Sequence, residues 1–423
     1  MIQHIKYFCL SAFVCLTISS CFYDVIEEID VKEYNAKSIE EIFKGMDLTL
    51  FSSVDNTNEI PILAWLGVPQ KYTNIERFVE MKNAGININY SNYTNADSLE
   101  KALDIAHQLD MKVLIRCPEL YSETEAMVKR FMNHPANGGY FLFDEPLPSK
   151  FEELKILVSK IEAIDSTRFC YINLNPNVAA ELHSSVDYTN YVKTFLNIIP
   201  IKILSFDHYP ILNIGISKNW YQNLEIIRSE ASNANIPFWA FALTTAHTPY
   251  LIPDISHLRL QVYSNLAYGA KGIQYFTYWT QNSNIWNFHN GPIELDGSKT
   301  EIYDYLQQIN KEIQIYSDIF LSSKVTNLSH HGIIPEGAVK FNNPPYYVDS
   351  IKIDGGNALL SEMVNNQNSF LIIQNTNTDK EIGIDIKTDA QTKIVLKSGH
   401  IIPASYINEK FKLTPGDMAM FMR

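Results

Sequence analysis

From about residue 60 to residue 320 the chain alternates short apolar runs with longer amphipathic ones. The apolar runs are ILAWLGVP (62–69), GININYSNY (85–93), KVLIRCPEL (112–120), GGYFLFDEP (138–146), RFCYINLNP (168–176), ILSFDHYP (203–210), PFWAFALTTAH (237–247) and GIQYFTYWT (272–280). Between them lie segments with helical spacing, among them NIERFVEMKNAG, DSLEKALDIAHQLD, FEELKILVSKIEAI and HLRLQVYSNLAYGAKG, with Gly85 and Gly269 placed where helices stop. Strands that read as unbroken apolar runs are buried on both faces, as in a parallel sheet covered by helices. Eight strand-plus-helix units predict an α/β fold, a (β/α)8 TIM barrel. An open doubly wound sheet is the competing topology, and no glycine-rich phosphate loop follows the first strand to support it.

From about residue 325 the pattern changes. Segments such as SFLIIQNTN, EIGIDIK, TKIVLKSG and EKFKLTPGDMAMFMR alternate or run apolar between turn signals without a helical stretch. They predict a small C-terminal β-sandwich. The chain has 423 residues, more than the roughly 250 to 300 that one core fills. The expected organisation is a leader over residues 1–21, a tether and initial helix over 22–45, the barrel over 46–322 and the sandwich over 323–423.

The amino terminus, MIQHIKYFCLSAFVCLTISSC, has one lysine ahead of an apolar run, then two serines and Cys21. It reads as a secretory signal, too short to span a bilayer. Its end, Ile18-Ser19-Ser20-Cys21, resembles a bacterial lipobox, which implies lipidation of Cys21 and residence at the cell envelope, periplasmic or surface-exposed, with the lipid as the only membrane contact. A signal peptide with a chance cysteine is the plainer alternative. Cys117 and Cys170 each lie in an apolar run and read as buried free thiols.

Composition narrows the partners. Apolar residues make up 46% of the chain, ordinary for a globular protein, and the formal charge is −13. Nucleic acid and anionic membrane surfaces need clustered Lys and Arg, so neither suits this chain, and a neutral ligand suits it better.

The carboxyl ends of barrel strands and the loops after them form the active-site face of such folds. Here they carry Asn87, Asn89 and Ser91 after strand two, Glu119 after three, Asp144 and Glu145 after four, and Asn173 and Asn175 after five. Strand six ends in Asp207, His208 and Tyr209, seven in Thr245 and His247, eight in Tyr278 and Trp279. Amides both donate to and accept from sugar hydroxyls, so Asn89 and Asn175, with Glu119, are candidate substrate contacts. Satisfied loop amides are the plainer reading.

The run FLFDEP sets two carboxyls at the end of an apolar strand. Burial there raises a pKa and keeps a carboxyl able to donate, which makes Glu145 the candidate general acid. Both acids reach the mouth only if the strand stops or twists between them, and Pro146 supplies a stop, holding Glu145 extended. Two close carboxyls also push their pKa values apart. In ILSFDHYP the period of two puts Ser205, Asp207 and Tyr209 on one face, so Asp207 is the candidate second carboxylate and Tyr209 a donor to it or to a sugar. His208 faces the other way; it is kept as a substrate contact, with a satisfied packing histidine as the plainer reading. Trp279 is a candidate stacking surface for a pyranose, with a core aromatic as its plainer reading. No HxH, HxxxH or clustered carboxylate spacing points to a metal, and no cofactor is expected.

These strand ends resemble the glycoside hydrolases of the large clan that holds the family 42 β-galactosidases and the cellulase-like families. That resemblance rests on Asp144-Glu145-Pro146 in place of an Asn-Glu-Pro motif, on Trp279 after strand eight, and on the phrasing of AYGAKGIQYFTYWT, GPIELDGSKTEIYDYLQQINKEI and KLTPGDMAMFMR. It implies a barrel glycosidase with Glu145 as acid/base and a glycan as substrate. The clan's nucleophile is a Glu ending strand seven, where WAFALTTAH has none. Either Asp207 takes that place, or the substrate's own 2-acetamido group attacks with Asp144 orienting it and Tyr209 assisting, as in hexosaminidases of other families. The resulting expectation is an exported, lipid-anchored glycoside hydrolase acting on a neutral or amino-sugar oligosaccharide or polysaccharide. A catalytically silent carbohydrate-binding lipoprotein on the same barrel is the alternative.

Overall fold

The structure, a computed structural model, describes residues 36–43, 58–179, 187–407 and 409–423. The leader and the lipidation site expected at Cys21 lie outside the described residues. Eight parallel strands close into a barrel in chain order: β1 (Ile62–Trp65), β2 (Ile88–Asn89), β3 (Lys112–Ile115), β4 (Asn137–Asp144), β5 (Cys170–Leu174), β6 (Leu204–Phe206), β7 (Phe238–Leu243) and β8 (Gly272–Phe276), which returns to β1. Each strand coincides with one of the eight apolar runs, β4 starting one residue ahead of its run, and is followed by helix, so the TIM barrel is the observed fold.

Local chemistry explains where the helices begin and end. Asn74 and Asn95 cap helices Ile75–Asn83 and Ala96–Gln108 by accepting from the N–H groups of Arg77 and Ser98. The second helix buries Leu99, Ala102, Leu103 and Ala106, one stripe at helical spacing. Gly85 ends the first with φ at 79°, a left-handed conformation that costs glycine least.

The barrel interior is filled by aromatic side chains, including Trp65, Tyr90, Phe141, Phe169, Tyr171 and Trp239. Rings of that size fit a narrow barrel only where a neighbour gives up its side chain. At Gly272 an added Cβ would lie 2.6 Å from the Trp239 ring, and at Gly139 it would lie 3.0 Å from the Phe169 ring. Cys117 and Cys170 are buried free thiols.

After the barrel come nine strands: β9 (Lys324–His331), β10 (Val348–Asp354), β11 (Ala358–Val364), β12 (Ser369–Asn375), β13 (Ile382–Thr388), β14 (Lys393–Val395), β15 (His400–Pro403), β16 (Lys410–Leu413) and β17 (Met418–Met422). They form two antiparallel sheets. One has the order β15-β14-β17-β12-β11-β9, and the other the order β10-β13-β16. The two-residue strand Lys37–Ser38 pairs with β15 and adds a seventh strand to the first sheet. The segment read as a tether thus ends as a sheet edge, just before helix Ile39–Phe43.

Helix Ile255–Ala267 is buried on nearly every side between barrel and sandwich, which accounts for its lack of a one-faced apolar period. Gln374 of β12 sits fully buried at this seam. It accepts from Ser264 Oγ at 2.8 Å and donates to the carbonyls of Leu260 and Gly416 at 3.2 Å. Among the described residues no helix is long and apolar enough to cross a membrane.

The Gly272–Trp239 contact gives a first prediction. Gly272→Ala is expected to lower stability by about 1 to 3 kcal/mol through overpacking, read as a lower urea midpoint at unchanged slope. A midpoint equal to that of the parent would show that the Trp239 ring yields without cost.

Candidate active site

The two carboxyls at the end of β4 reach the mouth through a break in strand register. Phe141 pairs with Tyr171, but Phe143 then pairs with Ile172 and Asp144 with Asn173, so β4 carries one extra residue against β5. Such a bulge reverses the alternation beyond it. Phe141 points into the barrel, Leu142 into the helix layer, and Asp144 comes to lie beside Asn173.

Glu145 follows with φ at 53°, in the left-handed region. The expectation that Pro146 would hold Glu145 extended is therefore corrected: the backbone reverses hand at Glu145 itself. Two bonds hold it there. The Glu145 N–H donates to the Asn173 carbonyl at 2.8 Å, and Tyr191 donates its hydroxyl to the Pro146 carbonyl at 2.8 Å. Asp144 and Glu145 are both exposed at the mouth.

Asn173 organises the acids. Its Nδ2 donates to Asp144 Oδ1 at 3.1 Å and to Asp207 Oδ1 at 2.9 Å, so those two oxygens are no further apart than the two bonds laid end to end. Its Oδ1 accepts from Ser205 Oγ at 2.9 Å. Ser205 in turn meets the Tyr171 hydroxyl at 2.8 Å and accepts from Gln274 Nε2 at 2.9 Å, and the Tyr171 hydroxyl donates to Gln274 Oε1. A chain of polar side chains from β5, β6 and β8 thus runs up inside an otherwise aromatic barrel and ends on two carboxyls. Every member but the acids is fully buried and paired, as a low-dielectric interior requires.

The acids differ in titration because their surroundings differ. Asp207, 8% exposed, is pushed well above the usual carboxylate range, first by burial and then by the charges of Glu145 and Asp144. Asp144 stays open to solvent on one side, yet the protein crowding it raises its pKa to about 6, against a smaller lowering by the Asn173 amide. Burial and the neighbouring charges thus favour the shared proton on Asp207 over Asp144.

An aromatic wall stands beside the acids. Tyr209 packs on Phe276 at 5.3 Å and edge-on to Tyr250 at 5.6 Å between ring centroids. His247 continues the wall, 4.8 Å from both Tyr250 and Phe288 and 5.8 Å from the half-exposed Trp286. Burial, then the charges of Asp207, Asp144 and Glu145, raise the Tyr209 pKa.

Of the residues singled out in the sequence, the structure brings together Asp144, Glu145, Asp207 and Tyr209, with Asn173 bonded to two of the acids and His247 in the adjoining wall. The surroundings of Trp279, Asn89, Asn175, Glu119 and His208 are different. Trp279 is 2% exposed, stacked on Tyr72 at 4.8 Å with the Arg77 guanidinium over its ring, so it packs outside the barrel and Phe276 supplies the ring ending strand eight. Asn89 is fully buried, accepting from the Val68 N–H and donating to the Tyr93 hydroxyl, both at 3.0 Å. Asn175 is enclosed at the end of β5; its backbone carbonyl accepts from Tyr188 at 2.7 Å, and its side-chain Nδ2 is buried without a hydrogen-bond partner. Glu119 accepts from the Ala96 N–H at 3.2 Å at the start of helix Ala96–Gln108, and backbone N–H groups hold its pKa down. His208 lies between Asn223 and Ser217, 3.0 Å from each, and burial lowers its pKa to about 4.

Sequence reasoning named Asn173 among the strand ends without its central role, and missed Phe276, Tyr250 and Phe288. The period of two that aligned Ser205 with Asp207 also aligns Tyr171 with Asn173, and was the available signal. Tyr250 and Phe288 sit in loops, where spacing carries none. Among the described residues no group of three or more His, Cys, Asp or Glu side chains is arranged to hold a metal ion.

No family profile matches the sequence, and no curated protein matches it. Solved structures do resemble the fold. A catalytic mutant of a GH42 β-galactosidase from G. stearothermophilus superposes with a TM-score of 0.56 at 8% identity, over 87% of this chain and 98% of that one. A β-galactosidase from Bacillus circulans sp. alkalophilus gives a TM-score of 0.56 at 8% identity, over 88% of this chain and all of that one. Against a β-galactosidase from the psychrophilic Marinomonas ef1 the TM-score is 0.47 at 12% identity, and this chain spans 62% of that protein's length, with 62% of its own covered. At these identities the likeness establishes the barrel and its C-terminal sheets.

The raised carboxyls have a consequence for stability. Folding favours the protonated form of Asp207, so its contribution is full below the unfolded carboxylate pKa and is lost as pH rises through the higher folded value. Asp144 has the same sign, over a window from 3.8 up through about 6. Asp207→Asn, which removes the buried acid at equal size, is expected to raise the thermal midpoint at about pH 7.5 and to flatten its decline above about pH 4. Melting curves across that range decide it; an Asn variant with the parent's pH dependence would contradict the assignment.

Proposed function

We propose that the protein is a glycoside hydrolase that cleaves a glycosidic bond of an oligosaccharide or polysaccharide, with Glu145 as general acid and base. The observation that carries this reading is the convergence of three carboxyls, Asp144, Glu145 and Asp207, on the face where (β/α)8 enzymes keep their chemistry, with Asp144 and Asp207 sharing one amide donor. The likeness of fold to β-galactosidases supports it.

The exposed Glu145 is the acid left for proton transfer to the leaving group, and the difference in titration between Asp144 and Asp207 favours a separate role for each of those two. Glu145 protonates the leaving glycosidic oxygen as the bond to C1 breaks. Asp207, held protonated, is poorly suited to attack carbon, and the end of β7 offers only Thr244 and Thr245, both fully buried, the latter bonded to Thr277. The ionised neighbour of Glu145 is Asp144. In this reading Asp144 accepts the N–H of a 2-acetamido group while that group's carbonyl oxygen attacks C1, and Tyr209 steadies it. Water then adds to C1 as the bond from the acetamido oxygen to C1 breaks, which restores the acetamido group and returns a proton to Glu145. An amino sugar is the substrate this arrangement favours, and a neutral hexoside cleaved with Asp207 as second carboxylate is the competing assignment. The aromatic wall of Tyr209, Phe276 and Tyr250 offers apolar rings to a sugar's CH face. We further propose export and a lipid anchor at Cys21, holding the enzyme at the cell envelope.

Glu145→Gln is expected to cut turnover of unactivated glycosides by about a hundredfold to ten-thousandfold while leaving binding within a few-fold. Cleavage confined to N-acetylhexosaminides and lost in Asp144→Asn would support assistance by the substrate; cleavage of plain hexosides, lost in Asp207→Asn, would move the role to Asp207. Absence of turnover on aryl glycosides and natural oligosaccharides, with binding retained, would identify a carbohydrate-binding protein and refute the enzyme.

A further inference from the structure

On the opposite side of the acids from the aromatic wall, β3 ends in an arginine. Val113, Ile115 and Cys117 pack into the helix layer and Leu114 into the barrel interior, so the alternation turns Arg116 toward the mouth, one residue past the strand. Tyr121 lies against its guanidinium and is itself fixed by a hydroxyl bond to the Phe141 carbonyl at 3.1 Å. Tyr90, raised in pKa first by burial, is acted on by the charges of both Arg116 and Asp144.

Arg116 differs from five other arginines of the chain. Arg77, Arg130, Arg228, Arg259 and Arg423 each hold a carboxylate at 2.6 to 2.8 Å. Among the described residues Arg116 forms no such pair; its Nε is buried without an acceptor, as are those of the paired Arg228 and Arg259, so the missing carboxylate is what sets it apart. A guanidinium presents a planar fork of donors that matches carboxylate or sulfate oxygens two at a time. An unmatched fork beside a site for sugars is the complement of an acidic sugar.

We propose that Arg116 is a specificity-determining residue that binds an anionic substituent of the glycan, a carboxylate or a sulfate, on the β2–β4 side of the site. The inference rests on the reading of this mouth as a sugar site, and it replaces the neutral ligand that net charge suggested. Overall charge describes the whole surface, whereas recognition is set by the groups at the mouth.

The test is direct binding, which does not require turnover. Calorimetry on the full-length protein in detergent, carrying Glu145→Gln to prevent cleavage, would compare methyl glucuronide with methyl glucoside and galactose 6-sulfate with galactose. At least one acidic sugar is expected to bind about ten to a hundred times more tightly than its neutral parent; the arm that shows it identifies carboxylate or sulfate. Adding Arg116→Gln should bring that ratio to about one, and Arg116→Lys, which keeps charge without the fork, to an intermediate value. Equal binding of acidic and neutral sugars, or a preference that survives Arg116→Gln, would overturn the proposal. If Arg116→Gln does not fold, Arg116→Lys decides: an undiminished preference refutes the role of the fork. Failure of every sugar to bind would instead sink the sugar-site reading beneath it.

Discussion

The arrangement at the mouth depends on one side-chain amide. Asn173 donates from a single nitrogen to Asp144 and Asp207 and accepts from Ser205, which ties the two acids to a polar chain inside the barrel. Two carboxyls that close would repel if both were ionised; the Asn173 amide favours charge on each, while deeper burial and the neighbouring acids favour the proton on Asp207. The bulge in β4, the hydrogen bond that fixes Glu145 and the inward turn of Asp207 all place groups around this residue.

The same logic explains why the interior is aromatic below and polar on one side. Rings fill volume with few donors to satisfy, so the barrel core leaves little room for water to compete with the Tyr171–Ser205–Gln274 network. Glycine at 272 and 139 makes the rings fit. Packing and electrostatics therefore meet in the same few strands, and a change in ring size there would be felt at the acids through Tyr171.

Much of the architecture was legible in the sequence because a parallel barrel announces itself by repetition: every strand coincides with an apolar run to within one residue, and helices such as Ala96–Gln108 show the 3.6-residue stripe. The pairing of Asp207 with Tyr209 could be read from alternation, and the Asp144–Glu145 pair from its place at a strand end. What could not be read was register. The bulge that turns Asp144 inward leaves no mark in FLFDEP, and Trp279 looked like the end of strand eight although β8 stops at Phe276 and the chain turns its tryptophan outward. Asn89 and His208 are polar residues whose side chains are bonded to groups outside their own strands, and their sequence neighbourhoods could not distinguish such a structural bond from an open one.

The left-handed backbone at Glu145 has a cost that falls on the whole molecule. A side chain with a Cβ in that conformation is held at an expense of about 1 kcal/mol or more, which glycine or asparagine would largely relieve. Stability and chemistry thus prefer different residues at one position. Under selection for robustness alone, position 145 would drift away from glutamate, and a descendant of this chain that had lost its activity would be the sturdier protein.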